Sequence, residues 1–199
     1  MGQHEILFII FSYLLGSVPF GLILFYIIEK KDIRKHGSGN IGTANILRNK
    51  GKTAAIATLI FDLLKGILPI IYGLKHFNSN TIIILGGAAA IIGHVFSVFL
   101  KFKGGKGVAT FCGVFLAFCF PSMIVFIVFF LTTLFITKYI SAASMIGTIS
   151  LFFFVLFTHV EEISIIVLIL VILIITKHHS NLNRIFNGTE NKFKVKNNG

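Results

Sequence analysis

Long apolar runs without a single charge leave this chain few folds to choose from. Residues 108–137 contain no Asp, Glu, Lys or Arg, and neither do 144–157 or 163–176. A backbone in hydrocarbon must satisfy every N–H and C=O internally, so such runs fold as helices. About 20 residues suffice to cross a bilayer. Hydrophobic residues make up 55% of the 199, and the mean hydropathy is +0.91. The expected class is therefore all-α: a polytopic integral membrane protein with one membrane-embedded domain over 1–199. Met1-Gly2-Gln3-His4-Glu5 puts no basic segment ahead of the first run, so that run is expected to span rather than to be cleaved as a signal.

Seven transmembrane helices are expected. The first covers about 5–28 and carries Gly16, Ser17 and Pro19 midway. Proline there should kink the helix and leave carbonyls for neighbours to satisfy. The second, about 53–74, contains Asp62 and Lys65, which at this spacing share a helix face and can pair. Ionisable groups inside a membrane are costly, so these two are either a structural ion pair or part of the function. The third, about 81–100, carries Gly86, Gly87, Ala88, Ala89 and Ala90 for close helix packing, with His94 towards its end. Residues 108–137 exceed by half the roughly 20 that one span needs, and Pro121 is expected to divide them into spans four and five. Spans six and seven are read at 144–157 and 163–176, with 158–162 as the turn between them. The fourth and sixth are expected to be short. Cys112 and Cys119 share an apolar run without further metal-binding side chains, so packed thiols are expected.

Charge placement decides the orientation. With seven spans, all 18 lysines and arginines except Lys65 and Lys75 fall in loops of one side or in the tail. Positive loops face the cytoplasm, which puts the N-terminus outside and the C-terminus inside. Six spans would place the tail opposite the first loop. The net charge of +11 is thus spread over short inter-helix loops. That suits an anionic leaflet and phosphate ligands, and makes nucleic acid an unsuitable partner.

Three polar clusters fall on that side. One is Gly37-Ser38-Gly39-Asn40-Ile41-Gly42-Thr43-Ala44-Asn45-Ile46-Leu47-Arg48. Its formal G-x-G-x-x-G follows a transmembrane helix rather than a strand, so a dinucleotide fold is rejected. Another is Lys101-Phe102-Lys103-Gly104-Gly105-Lys106-Gly107, where glycines leave N–H groups unshielded and a helix is expected to begin with its positive dipole end at the same place. It lacks the spacing of a Walker A loop. The third is His178-His179-Ser180-Asn181-Leu182-Asn183-Arg184 with Gly188-Thr189-Glu190. The donors suit phosphate oxygens, and His178 or Glu190 can handle a proton or orient a ligand. No zincin motif or G-x-S-x-G elbow is present, so no metal or cofactor is expected, and an already activated substrate would fit.

At these residues the chain resembles the PlsY family of bacterial acyl-phosphate:glycerol-3-phosphate acyltransferases. Ser38-Gly39-Asn40-x-Gly42-x-x-Asn45-x-x-Arg48 is similar to that family's first motif, Gly93-His94 through Thr110 to its second, and His178-x-x-Asn181-x-x-Arg184-x-x-x-Gly188-Thr189-Glu190 to its third. The resemblance extends through Gly16-Ser17-x-Pro19-x-Gly21, Asp62-x-x-Lys65-Gly66 and Thr137-Lys138-Tyr139-x-Ser141-x-Ala143-Ser144, nearly the whole chain. One departure is Thr43-Ala44, where the first motif has Ala-Thr.

The resemblance implies a seven-helix enzyme of the bacterial inner membrane, active on its cytoplasmic face and working as a monomer. Its implied reaction moves a fatty acyl group from acyl phosphate to the 1-hydroxyl of sn-glycerol 3-phosphate, giving lysophosphatidic acid. It implies catalytic roles for Lys106, His178, Ser38 and Asn181. Substrate binding is implied for Gly39, Asn40, Asn45, Arg48, His94, Gly104, Gly105, Gly107, Ser144, Arg184 and Glu190. Lys106 and the neighbouring glycine N–H groups would hold phosphate and stabilise developing charge. Ser38, Arg48, His178 and Asn181 would position glycerol 3-phosphate, and Glu190 would brace its loop against a basic neighbour. A transporter of phosphorylated metabolites is the rival reading, but it would show paired broken helices and a midplane site.

Overall fold

The computed structural model describes residues 1–158 and 161–193, except for the side chains of 161 and 162. Every regular element among them is helical. The chain divides into two compact units, Met1–Cys119 and Phe120–Gly199. The first holds α1 (Gln3–Ser17), α2 (Phe20–Glu29), α3 (Thr43–Lys50), α4 (Lys52–His76), α5 (Asn80–Val95) and α6 (Val108–Phe118). The second holds α7 (Phe120–Thr137), α8 (Ile140–Phe157), α9 (Glu161–Thr176) and α10 (His179–Phe186). The turn expected at 158–162 lies largely outside the described residues.

Among the described residues, five stretches are long and apolar enough to cross a membrane: Gln3–Glu29, Lys52–His76, Asn80–Leu100, Phe120–Thr137 and Ile140–Phe157. A sixth exists if α9 and α10, bent by 51°, form one broken span. The remaining apolar helix, α6, has 11 residues, about 16 Å of rise against a hydrocarbon core of about 30 Å. The seven apolar segments foreseen from sequence are thus all helical, and five or six of them have the length of a span. Two boundaries differ. The chain breaks at Cys119 rather than Pro121, because proline is tolerated in a first helical turn, where its missing N–H has no intrahelical acceptor. The sixth segment is not short: α8 begins at Ile140 and runs 18 residues. Its early serines are compatible with helix because Ser144 Oγ donates to the Ile140 carbonyl at 2.8 Å, a bond that hides a hydroxyl within its own turn.

In the first unit, α1 lies against α5 and α4 against α6, each at backbone distance. A Cβ on Gly16 would fall 2.1 Å from the Ala90 carbonyl oxygen, and one on Gly66 2.2 Å from that of Thr110. Small residues let helices approach this closely, which is how helices gain packing energy where hydrocarbon surrounds them. Large apolar side chains point outward instead: Phe11, Leu68, Phe135 and Ile165 are exposed. The polar stretch between α2 and α4 is anchored by Phe25, Ile33, Ile41, Ile46, Ala54, Ala55 and Leu100, a buried cluster that joins the first polar loop to the segment just before the glycine–lysine loop.

Proline at position 19 breaks the first span as expected. The Val18 carbonyl, at the break, accepts from Lys65 Nζ at 3.1 Å, and the Ser17 carbonyl accepts from Ser97 Oγ at 2.5 Å. The carbonyls freed by the break are therefore what Lys65 of α4 and Ser97, just past α5, bond to.

Candidate active site

Asn45 organises the first loop. Its Oδ1 accepts from Ser38 N at 2.9 Å and from Asn49 Nδ2 at 3.1 Å. Its Nδ2 donates to the carbonyls of His36 at 3.0 Å and Asn40 at 2.8 Å. An amide offers two donors and two acceptor sites, so Asn45, which is buried, is saturated by its own loop. It positions the loop rather than a ligand. Asn40 is also used locally: its Oδ1 accepts from Gly42 N at 2.8 Å. What this framework presents outward is Ser38, Gly39 (φ +73°) and, on the last turn of α3, Arg48, all exposed. The hydroxyl at Thr43 is buried without a hydrogen-bond partner among the described residues.

The glycine–lysine loop folds back onto the end of α5. Gly104 N donates to the Val95 carbonyl at 3.1 Å and Gly105 N to the His94 carbonyl at 3.0 Å. These two N–H groups are spent, which corrects the expectation that they hold phosphate. The glycines serve another purpose. A Cβ on Gly104 would lie 2.0 Å from the His94 carbonyl oxygen, and one on Gly105 2.1 Å from His94 Nε2. Only glycine lets the loop lie this low over His94. Past it, Gly107 (φ +89°) turns left-handed and caps α6, so the first-turn N–H groups of α6 follow directly after the partly exposed Lys106. A helix start beside a lysine has the chemistry that suits an anion, and here it lies at Lys106 and the turn beyond rather than at Gly104–Gly105.

Under the loop lies a buried polar triad. Lys65 Nζ is 3.0 Å from Asp62 Oδ1, and His94 Nδ1 is 3.6 Å from the same oxygen. All three side chains are at most 4% exposed. His94 therefore stands behind Gly105, close to Asp62 but beyond hydrogen-bond distance of it, rather than lining open space. The intramembrane pair seen in sequence is real, and it ties α4 to the break in the first span.

In the second unit, Glu190 is the centre of the third cluster. It accepts from Arg184 Nε at 2.7 Å, Asn181 Nδ2 at 2.8 Å and Ser141 Oγ at 3.0 Å. Burial pushes its carboxyl up, but the bonds from Asn181, Arg184 and Ser141 outweigh that and hold it below the usual glutamate range. Bracing by Glu190 was legible in the sequence; Ser141, on another helix, was not assigned a part. The buried His178 donates its Nδ1 proton to the Ile174 carbonyl at 2.8 Å, a role fixed because a carbonyl can only accept. In the neutral ring the basic lone pair is then on Nε2. The Ser144 hydroxyl proton is used within α8, as described above. The first two clusters belong to one unit and the third to the other.

An all-helical, multi-pass membrane protein with basic glycine-rich and His/Asn-rich segments at the ends of its spans is the class these features define. The family whose model is described as glycerol-3-phosphate acyltransferase matches residues 6–188. The glycerol-3-phosphate acyltransferase of Bartonella henselae is 40% identical over the full length of both chains. That of Pelagibacter ubique is 43% identical over 92% of this chain and 95% of its own. The crystal structure of PlsY, an integral membrane glycerol 3-phosphate acyltransferase, superposes in its glycerol 3-phosphate form with a TM-score of 0.92, 34% identity and 96% of each chain covered. Its lysophosphatidic acid form gives 0.89 and 33%. The chain belongs to the glycerol-3-phosphate acyltransferase family.

Proposed function

We propose that this chain transfers a fatty acyl group from acyl phosphate to the 1-hydroxyl of sn-glycerol 3-phosphate, releasing lysophosphatidic acid and phosphate. It does so as a monomer at the cytoplasmic face of the bacterial inner membrane. The observation that carries this reading is the likeness, over 96% of the chain, to an acyltransferase structure in its glycerol 3-phosphate form. An acyl phosphate is a mixed anhydride with a good leaving group, so the reading invokes no metal or cofactor.

In this reading Lys106 and the start of α6 hold the phosphate and the charge that develops on the acyl oxygen. Ser38 and Arg48, the outward groups of the first loop, bind glycerol 3-phosphate with Asn181 and Arg184. The 1-hydroxyl oxygen bonds to the acyl carbon as its proton passes to His178 Nε2. The carbon–oxygen bond to phosphate breaks, phosphate leaves with the bonding pair, and the proton passes from His178 to solvent or phosphate. Asn40, Asn45, His94 and Glu190 support those groups from behind, and Gly39, Gly104, Gly105 and Gly107 give the loops their path. Ser144 is read as a contact along the acyl donor.

Purified protein in detergent, where no gradient can exist, tests the reading. Palmitoyl phosphate with glycerol 3-phosphate should yield lysophosphatidic acid, and palmitoyl-CoA should not replace it. Lys106→Ala should lower the rate by about 10²–10³-fold, the usual cost of removing one charge-stabilising donor. Full activity in that variant, or equal use of the CoA ester, overturns the assignment.

A further inference from the structure

A second basic feature lies in the first unit, apart from the residues assigned above. Leu22, Arg34, Phe99, Leu100, Lys101 and Lys103 line a cleft of about 520 Å³. We propose that this cleft holds a bilayer phospholipid with an anionic headgroup: its phosphate among Arg34, Lys101 and Lys103, its upper acyl chain along Leu22, Phe99 and Leu100.

Charge supports an anion. Lys101 and Lys103 form no ion pair among the described residues, whereas Arg34 is locked by Asp32, which takes its Nε at 3.0 Å and Nη2 at 2.6 Å. That bidentate clamp fixes the guanidinium plane and leaves Nη1 for another acceptor. Three cations thus face the cleft beside one carboxylate that is already engaged.

Position and polarity support a lipid rather than a soluble anion. Leu22 lies in the first candidate span, about two turns before its end, and Phe99 and Leu100 are the last residues of the third. The cleft therefore begins in hydrocarbon and ends among cations. The turn that carries the lysines is also unusual. Lys101 and Phe102 both adopt left-handed backbone, φ 52° and 62°, a region bulky side chains rarely enter. Phe102 N to the Ser97 carbonyl at 2.8 Å and Lys103 N to the Leu100 carbonyl at 3.1 Å hold it. Phe99 and Phe102 are 60% and 59% exposed beside the two lysines, the mix of apolar side chains and cations that suits a segment seated at the headgroup level. The turn runs straight into Gly104, so an occupant of the cleft steadies the approach to Lys106.

Native mass spectrometry on the full chain in detergent, titrated with phosphatidylglycerol or phosphatidylcholine of matched chains, tests this. The wild type should retain phosphatidylglycerol preferentially. The double variant Lys101→Gln/Lys103→Gln should lose about 30-fold of that affinity, two lysines' share of attraction to an anionic lipid, while Lys101→Arg/Lys103→Arg keeps it. Equal retention of the two lipids by the wild type overturns the proposal without recourse to any variant. So does an unchanged preference in the glutamine variant. Displacement of phosphatidylglycerol by millimolar inorganic phosphate would make the cleft a soluble-anion site and overturn the lipid assignment.

Discussion

Lys65 Nζ sits 3.0 Å from Asp62 Oδ1 in the interior of the first unit and donates its other short bond to the Val18 carbonyl, 47 positions earlier in the chain. One ammonium thereby neutralises a buried carboxylate and also satisfies a backbone group that a proline break has freed. The pair lies within α4, and through Lys65 it ties that helix to the break between α1 and α2. It is next to the candidate site as well, because His94 lies 3.6 Å from Asp62 and directly beneath Gly105.

Breaking that pair from either side should be more damaging than removing it. Asp62→Asn or Lys65→Met strands a charge away from water, at a cost of about 3–5 kcal/mol. The double variant Asp62→Leu/Lys65→Met strands none and loses chiefly the bond to Val18, about 2 kcal/mol for a hydrogen bond to a charged group. Thermal unfolding in detergent should rank the double variant above both singles. A double variant no more stable than the worse single would show that the two residues act independently.

Gly105→Ala should fold yet transfer acyl groups poorly. The added methyl meets His94 Nε2 at 2.1 Å, so the loop must lift, and displacing a catalytic group by about 1 Å can cost about 10²-fold. Gly2→Ala, where nothing lies within 4 Å, is the matched control and should leave the rate unchanged. Steady-state assays of the two variants decide the matter.

The brace around Glu190 should fail in acid. Its pKa in the fold is depressed, so its contribution is fully present above the ordinary glutamate range and is lost as pH falls through the lowered value. Glu190→Gln should therefore cost about 2 kcal/mol near neutrality, the scale of a hydrogen bond to a charged group. The gap between variant and wild type should close in acid. A gap that stays constant with pH would mean the bonds do not depend on the charge.

Membrane sidedness is open to a direct check. With Cys112 and Cys119 replaced by serine, single cysteines placed at Ser38, Lys103 and Lys192 should react with an impermeant thiol reagent from the cytoplasmic side of inverted vesicles and not from the outside of intact cells. Labelling of any one of them from outside would overturn the seven-span orientation.

Much of this protein is legible along its linear chain. Uncharged runs admit only helices in hydrocarbon, so the class and the succession of segments follow from local composition. The proline break, the Asp62/Lys65 pairing and the bracing role of Glu190 follow from local spacing. Other features needed three dimensions. Asn45 looks like a ligand donor in a polar loop until its partners are counted, and those partners lie up to twelve positions away. Gly104 and Gly105 look like an anion cradle until their N–H groups are found on the carbonyls of His94 and Val95.

Taken alone, then, the order of residues determined that the chain is a succession of membrane helices and which of its segments are polar enough to meet phosphate. Solvent chemistry enforces both, because it acts on each segment independently of the others. Which donors are spent and which remain was decided only by the tertiary structure. A hydrogen bond is a relation between two groups, and the second group in Gly105–His94, Lys65–Val18 and Ser141–Glu190 is brought there by folding.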